Sequence, residues 1–515
     1  MPVDRLKARC IEASDMLYLG IDCGTQGTKA VLFDPEAGGK IVGRGYAPHQ
    51  LIADATGRRE QMVEWWTSAL EQAVFHAVRE SGRAASDVAA IAVSGQHHGL
   101  VMLDEAHQVI RGVKLWNDTT TAGENERLIE AAGGQDGIWE LLGTTLPVGY
   151  TASKVSWVRR NEPEIYARMR HILLPHDYLN FWLTGVLAME AGEASGTGFF
   201  DVVSRTFSER MIEIVDPDGV LARALPPLVS PLQPIGTVRR EIAELFGFRP
   251  ETIVACGSGD NVMGAIGTGS VRHGRATLGL GTSGVLNLFS ERPVPEIERS
   301  LQVFCGVEGG WIPTTATMNA TSSTSLMRDL FGVEVGDVDG LIGAARPGAD
   351  GIRILPFFNG ERRPSLPRAR ASMFGLSQDN VSRSNLMRAS AEAVALVLMY
   401  GYRQLPVDTG TRQTLRLTGG GANSPAWRQI IADVFDAEAV RVKWDEGGAF
   451  GAALLALTVE RRLSGGRETL ADICDRFVEL DEAMAAHPNA ANVALYRDVF
   501  AEFLELLRRE HGVAS

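Results

Sequence analysis

The first sustained apolar run of the chain, Leu17 to Ile21, ends on the carboxylate of Asp22, and a second, Ala30 to Phe33, ends on Asp34. Between them lie Cys23-Gly24-Thr25-Gln26-Gly27-Thr28. Runs this short, bounded by glycine and threonine, predict strands over Leu17–Asp22 and Thr28–Asp34 joined by a hairpin turn. A third strand is expected over Ile41–Tyr46. The connections are too short for crossover helices, so the three should be antiparallel. The pattern then changes to helix and strand in alternation. A helix is expected over Met62–Glu80, with Trp65 and Trp66 as packing residues, then a buried strand Val88–Ser94 and a loop Gly95-Gln96-His97-His98-Gly99. This is α/β architecture, in which ligands gather at the carboxyl ends of strands.

Gly24 and Gly27 let main-chain N–H groups approach an anion, so the hairpin can cradle phosphate; an ordinary glycine turn would read the same. Asp22 stands where a phosphate-bound Mg²⁺ needs an oxygen ligand. A second segment moves the balance toward phosphate: Arg275 to Phe289 repeats the hairpin, with Gly279-x-Gly281-Thr282-x-Gly284 aligned on Asp22-x-Gly24-Thr25-x-Gly27. Two copies of one hairpin predict two related lobes facing one nucleotide, the first alone supplying a metal-binding acid. Pro226, Pro227, Pro231 and Pro234 crowd the stretch before Ile235 and are expected to mark the passage between lobes. The lobes are accordingly expected at 1–249 and 250–515, the second opening with a strand over Thr252–Gly257. A nearly all-apolar helix over Ser384–Arg403 should be interior. An amphipathic helix over Asn492–Arg509 carries Tyr496, Val499, Phe500, Phe503, Leu504 and Leu507 on one stripe, which should close a lobe's core, with a return to the first lobe as one option and a dimer interface as the alternative.

A chain of 515 residues with 45% apolar content has material for two cores. Its net charge of −13 argues against nucleic acid or an anionic membrane surface as partner, so a polyphosphate would need positive potential supplied locally. The longest uninterrupted apolar run, Ala393 to Tyr400, is far short of the ~20 residues of a membrane span. The five cysteines (Cys10, Cys23, Cys256, Cys305, Cys474) are scattered, odd in number and without a CxxC pair. That pattern predicts neither disulfides nor zinc and fits a reducing cytoplasm. Cys23, inside the hairpin, reads as a small buried filler. Residues 1–15 carry charges throughout and no apolar core of a signal peptide; they read as a disordered extension, with Met16 as an alternative start.

Gly257-Ser258-Gly259-Asp260-Asn261 joins a strand to a small-residue helix, Val262 to Gly267. Asp260 is in position to cap that helix. It also leaves a strand's carboxyl end between the two hairpins, where an acceptor hydroxyl attacking a γ-phosphate needs a carboxylate, and it reads as the general base. Gly419-Gly420-Gly421-Ala422-Asn423-Ser424 follows a strand and precedes a helix opening at Pro425, a junction where a flat base and ribose can lie against backbone. Glu446-Gly447-Gly448-Ala449-Phe450-Gly451 is a small-residue helix start that reads as support for close helix–strand packing. Gln96, His97 and His98 offer neutral groups that read hydroxyls, whereas two adjacent histidines do not make a chelate. Trp116-Asn117-Asp118 adds a ring for a sugar face.

Taken together, Gly20-Ile21-Asp22-Cys23-Gly24-Thr25, Gly149 to Trp157, Leu174-Pro175-His176-Asp177-Tyr178, Pro356 to Arg362, and Gly419 to Ser424 with Trp427, Ala432 and Asp433 resemble the FGGY family of carbohydrate kinases. Within it they most resemble members that act on D-xylulose. The resemblance spans Met16 to the C-terminus. It implies a duplicated ribonuclease-H-like, actin-like ATPase fold of two lobes with a central cleft, Mg·ATP held between them, and a cytoplasmic enzyme phosphorylating the C5 hydroxyl of D-xylulose. A homodimer is compatible with it. Position by position it implies Asp260 as catalytic base and Asp22 as the acid near Mg²⁺, acting through water. It implies Gly24, Thr25, Thr28, Gly281, Thr282, Gly420, Gly421 and Asn423 for ATP, and Gln96, His97, His98, Gly99, Trp116, Asp118 and Asn261 for the sugar. Two departures sit near the sugar. His97 stands where xylulose kinases often carry Met or Gln, and Thr119-Thr120-Thr121 stands where many members carry an Arg. Both leave open a different ketopentose or polyol. An actin-like ATPase without a sugar, or a sugar sensor without catalysis, are the more distant alternatives.

Overall fold

A computed structural model of the chain describes residues 16–293, 301–358, 360–405, 413–444 and 446–513. The extension expected at residues 1–15, Cys10 among them, and Asn359 of the Pro356–Arg362 segment lie outside the described residues. The chain divides into two compact units: one runs to Gly267 and takes in Glu446–Phe477, the other comprises Thr268–Asp445 and everything from Val478 onward.

The first unit is built on one sheet. Its strands run in the order Lys40–Pro48, Gly27–Asp34, Leu17–Cys23, Val88–Gly95, Ile253–Ala255 and Pro234–Thr237. The first three are antiparallel, with Asp22 opposite Lys29 and Cys23 opposite Thr28 across the hairpin. Val88–Gly95 then pairs parallel to Leu17–Cys23, and Ile253–Ala255 parallel to Val88–Gly95. Every residue of Val88–Gly95 is buried, the pattern of a parallel strand covered on both faces. One cover is the helix Val63–Ser81, whose stripe Val63, Trp66, Leu70, Ala73, Val74 and Ala77 packs onto the outer antiparallel strands. Trp66 is fully buried, as a packing residue should be.

The other cover comes from far along the chain. The glycine-rich helix Gly447–Leu463 packs on Leu17–Cys23, on Val88–Gly95 and on the short helix Asp260–Gly267. The approach is so close that side chains would not fit. A Cβ on Gly20 would lie 1.9 Å from the Ala449 carbonyl oxygen, and one on Gly451 1.9 Å from that of Met263. The small-residue start of this helix therefore supports helix–strand packing, as its composition suggests.

The second unit repeats the plan. Its sheet runs Gln302–Cys305, Trp311–Thr317, Gly284–Leu288, Ala276–Leu280, Thr414–Thr418 and Glu438–Arg441. Antiparallel pairing gives way to parallel at Ala276–Leu280, as it does at Leu17–Cys23 in the first unit. The two hairpins differ by one residue: Cys23 pairs with Thr28, whereas Leu280 pairs with Gly284. The helix Arg383–Tyr402 is buried along nearly its whole length.

Two expectations are corrected and a third is refined. The proline cluster does not mark the change of unit: Pro234–Thr237 is an edge strand of the first sheet, and prolines suit edges because they have no N–H to donate. The segment 250–267, expected to open the second lobe, belongs to the first unit, because Ile253–Ala255 pairs with Val88–Gly95. The helix Ala490–His511 buries Tyr496, Val499, Phe500, Phe503 and Leu507 and packs against the helix Pro425–Phe435 within the second unit, so its stripe closes a core as expected, whereas the segment that returns to the first unit is Glu446–Phe477. Contact between glycine and backbone is invisible in a hydrophobic pattern, which explains why the returning segment was not foreseen.

Replacing Gly20 with Ala forces a methyl into the Ala449 carbonyl. It should destabilise the first unit by about 1–3 kcal/mol, read as a lower midpoint in thermal or denaturant unfolding.

Candidate active site

The hairpin turn of the first unit offers main chain and keeps its threonine side chains for the protein. The Thr25 hydroxyl donates to Gln96 Oε1 at 3.1 Å and accepts from Trp116 Nε1 at 2.9 Å. The Thr28 hydroxyl lies 2.9 Å from His49 Nε2. Asp22 ends the first strand with Oδ1 accepting from Ser94 Oγ at 2.7 Å. Burial raises its pKa, while Ser94 and Lys29 pull the other way. The start of the glycine-rich helix sits against this pair: a Cβ on Gly448 would be 2.4 Å from Ser94 Oγ and 2.8 Å from Asp22 Oδ1. With Oδ1 engaged, Asp22 has its second oxygen to give. That donor suits Mg²⁺, which keeps several waters and takes one or two carboxylates. No group of three or more His, Cys, Asp or Glu converges on an ion site among the described residues. Cys23 is buried and its thiol pKa is pushed up by that burial, so it is an inert filler.

The sugar residues expected from the sequence are brought together within the first unit, in different roles. Gln96 is buried, with Nε2 donating to Gln61 Oε1 at 3.0 Å. Gln61, which the sequence reading did not single out, also donates to the Thr25 carbonyl at 2.8 Å and accepts from Trp66 Nε1. Gln96 therefore ties the loop to the hairpin. Gly99 is buried where a Cβ would meet Pro175. His98 has φ of 68°, stacks on Tyr150 with centroids 4.1 Å apart, and contacts the Gly196 carbonyl through Nδ1 at 2.6 Å. Asp118 is fully buried and is spent on structure, accepting from the Arg59 and Thr120 amides and from Lys114 Nζ. Lys114 in turn meets Glu60 at 3.3 Å and the Trp157 ring at 4.1 Å.

Asp260 opens the helix Asp260–Gly267, with Asn261 beside it. His97 Nε2 lies 3.5 Å from Asp260 Oδ1. Burial raises the Asp260 pKa, His97 opposes the shift and Asp22 adds to it. Of the Asp260 side chain, 47% is open to solvent.

Behind Asp260 lies a buried acid cluster that sequence reasoning missed. Glu190 Oε1 accepts from Ser258 Oγ at 2.6 Å, and Oε2 accepts from the Gly192 amide at 2.6 Å. Glu193 is fully buried with Oε2 3.4 Å from His97 Nδ1. His176 Nδ1 faces Asp177 Oδ1 at 3.1 Å. Burial lowers the His176 pKa, but Asp177 with Glu193 and Glu190 outweighs it and carries the value up to about 9. Lys154, also buried, donates to the His98 and Gly149 carbonyls at 2.5 Å each and clamps the histidine loop. Lys154 and His176 stand in segments that carried the family resemblance, which was the signal available for them; Glu190 and Glu193 had none.

In the second unit the turn at Gly281 and Thr282 is exposed or half-exposed, and its carbonyls accept from the amides of Thr321 and Ala320. Gly420–Asn423 forms a single 3₁₀ turn after the strand. Asp339 holds this junction, accepting from Ser424 Oγ at 2.5 Å and from the Ala426 amide at 2.9 Å. Arg428 donates to the Ala422 carbonyl at 2.6 Å. Asp433 accepts from Gln429, Asn492 and the Asn489 amide, tying two helices together. No helix among the described residues is long and apolar enough to cross a membrane.

The chain is thus a two-unit α/β protein with a glycine-containing hairpin in each unit and an acid, Asp260, at a strand-to-helix junction of the first. Residues 17–267 match the N-terminal domain of the FGGY family of carbohydrate kinases and residues 276–459 its C-terminal domain. The chain belongs to that family. It is 44% identical to a xylulose kinase of Haemophilus influenzae over 95% of this chain and 99% of that one. It is 34% identical to a xylulose kinase of Escherichia coli over 85% and 89% of the two chains. The crystal structure of a xylulose kinase from Bifidobacterium adolescentis superposes with a TM-score of 0.78 at 28% identity, covering 94% of this chain and 99% of that one.

Thr25→Val removes the hydroxyl that joins Gln96 to Trp116. Steady-state kinetics should show KM for the sugar acceptor raised about fivefold, roughly 1 kcal/mol, with KM for nucleotide changed less. His176 makes a separate prediction. Its folded pKa of about 9 lies above the ordinary 6.5, so its stabilisation is fully present below pH 6.5 and lost as pH rises through 9. Melting temperatures across that window should fall further for the wild type than for His176→Gln.

Proposed function

We propose that the protein is an ATP-dependent kinase that transfers the γ-phosphate of Mg·ATP to the C5 hydroxyl of D-xylulose, on a ribonuclease-H-like plan present once in each unit. The observation that carries this reading is Asp260 at the start of its helix, with His97 beside it and Asp22 near enough to raise its pKa. The family assignment supplies the class of reaction. The 44% identity to the Haemophilus influenzae xylulose kinase supports the choice of acceptor.

In this reading the sugar's terminal hydroxyl sits against Asp260. Its O–H bond breaks as the new O–P bond forms, the proton passes to a carboxylate oxygen of Asp260, and the bond from the γ-phosphorus to the ADP oxygen is lost. The transition state is loose, so the proton leaves late and a carboxylate of modest basicity suffices. The main-chain amides at Gly24 and Thr25, and those at Gly281 and Thr282, are the groups we assign to phosphate oxygens; Gly420, Gly421 and Asn423 are assigned to the nucleoside. Mg²⁺, when bound, neutralises polyphosphate charge, and Asp22 is the acid that would hold it through water. Trp116, His98 and Asn261 are assigned to the sugar. Gln96 and Asp118 hold the surrounding loops, and Gly99 closes one of them.

The test is ATP consumption with Mg²⁺ against D-xylulose, D-ribulose, L-ribulose, glycerol, gluconate and pentitols. D-xylulose should give the highest kcat/KM. Preference for another acceptor would keep the kinase and move specificity to the neighbourhood of His97 and Thr119–Thr121. Turnover unaffected by any sugar would overturn the reading in favour of an ATPase or sensor. Asp260→Asn should lower kcat by about 10²- to 10⁴-fold while nucleotide binding, followed by calorimetry, persists.

A further inference from the structure

Four aromatic and acidic groups hold one imidazole in place. His97 is 3% exposed, stacks on His98 with centroids 5.3 Å apart and planes 28° apart, and His98 stacks in turn on Tyr150. On the other side the backbone of Gly259 comes so near that a Cβ there would lie 1.8 Å from His97 Cε1. The ring cannot turn without moving the strand end that delivers Asp260. Its two nitrogens therefore have fixed addresses: Nε2 toward Asp260 Oδ1 at 3.5 Å, and Nδ1 toward Glu193 Oε2 at 3.4 Å. Both separations are at the outer edge of hydrogen-bond reach, the spacing expected of a site that tightens when its substrate is bound.

Glu193 has no structural task that would account for it. It is fully buried, and its oxygens have no hydrogen bond among the described residues, with Oε2 3.4 Å from His97 Nδ1. Its neighbour Glu190, in contrast, caps the turn Ala191–Ala194 and takes the Ser258 hydroxyl. A buried acid with unmet oxygens costs stability, so its presence at this point calls for a functional reason.

Resting on the kinase reading above, we infer that Glu193 is a positioning residue: by holding Nδ1 of His97 it fixes the imidazole so that Nε2 orients the Asp260 carboxylate for the acceptor hydroxyl. Burial drives Glu193 toward its protonated form, with Asp177, Glu190 and Asp260 adding to the shift and His176 opposing it. Burial likewise favours neutral His97. The Glu193 O–H then donates to Nδ1, the ring carries its proton on Nε2, and that N–H donates to Asp260 Oδ1. The other carboxylate oxygen is left to receive the sugar's proton. Glu193 touches neither sugar nor nucleotide in this arrangement and acts only through His97.

Two substitutions separate this from a packing role. Glu193→Gln keeps an N–H that can donate to Nδ1, and should hold kcat within about threefold of wild type. Glu193→Leu fills the same space without a donor. It should lower kcat about tenfold to a hundredfold, the cost of a misplaced catalytic group, with both KM values changed less than about threefold. The melting temperature of Glu193→Leu should equal or exceed the wild-type value, because an unmet buried acid has been removed. Combined with His97→Phe, Glu193→Leu should add nothing to the loss caused by His97→Phe alone. If Glu193→Leu does not fold, Glu193→Met takes its place with the same reading. Wild-type kcat in the Leu variant, equal losses in Leu and Gln, or additive losses in the double variant would each overturn the inference. A wild-type enzyme that transfers phosphate to no sugar would instead overturn the kinase reading itself, so the two failures are distinct.

Discussion

One helix packed without side chains between it and its neighbours sets the geometry of the first unit. Gly447–Leu463 meets the backbone of the strand that ends in Asp22 at Gly20, and the backbone of the helix that begins with Asp260 at Gly451. Backbone against backbone leaves no rotamers to adjust, so van der Waals contact sets the separation of these elements. Gly448 lies against Asp22 and Ser94 themselves. Glycine costs helix stability, about 1 kcal/mol each, and the chain spends it where two acids must be held to within a fraction of an ångström.

Around that frame the first unit gathers several acids and imidazoles. Asp22, Asp260, Glu190 and Glu193 all have carboxyl pKa values raised by burial, and His176, with its own raised above the ordinary value, supplies compensating positive charge. The hairpin and the histidine loop form one hydrogen-bonded assembly through Thr25, Gln61, Gln96 and Trp116. The histidine loop and the hairpin turn are therefore joined by direct side-chain hydrogen bonds. Such wiring suits a transferase, where water must be kept from the γ-phosphate until the sugar is in place.

Much of this was legible in the chain. The hairpins at Gly24–Gly27 and Gly281–Gly284, the antiparallel start, the helix Ala490–His511 and Asp260 at a strand-to-helix junction followed from periodicity and glycine placement. What escaped has a common cause. Glu190, Glu193 and Gln61 are single polar residues whose importance comes from partners distant in sequence, such as Glu190 with Ser258 and Gln61 with Trp66 and Gln96. No local period marks them. The unit boundary was misjudged for a related reason: prolines signal a break in hydrogen bonding, and an edge strand has such a break as surely as a linker does. Asp118, expected at the sugar, is saturated by Lys114 and two amides, a distinction that residue type cannot make.

The account stands or falls on where the phosphate goes. Incubation with ATP, Mg²⁺ and uniformly ¹³C-labelled D-xylulose, followed by ¹³C and ³¹P NMR, reads the answer from carbon–phosphorus coupling. Coupling at C5 and C4, with stoichiometric ADP, is the predicted result. Phosphorus coupled at any other carbon, or inorganic phosphate released with the sugar unchanged, would contradict it.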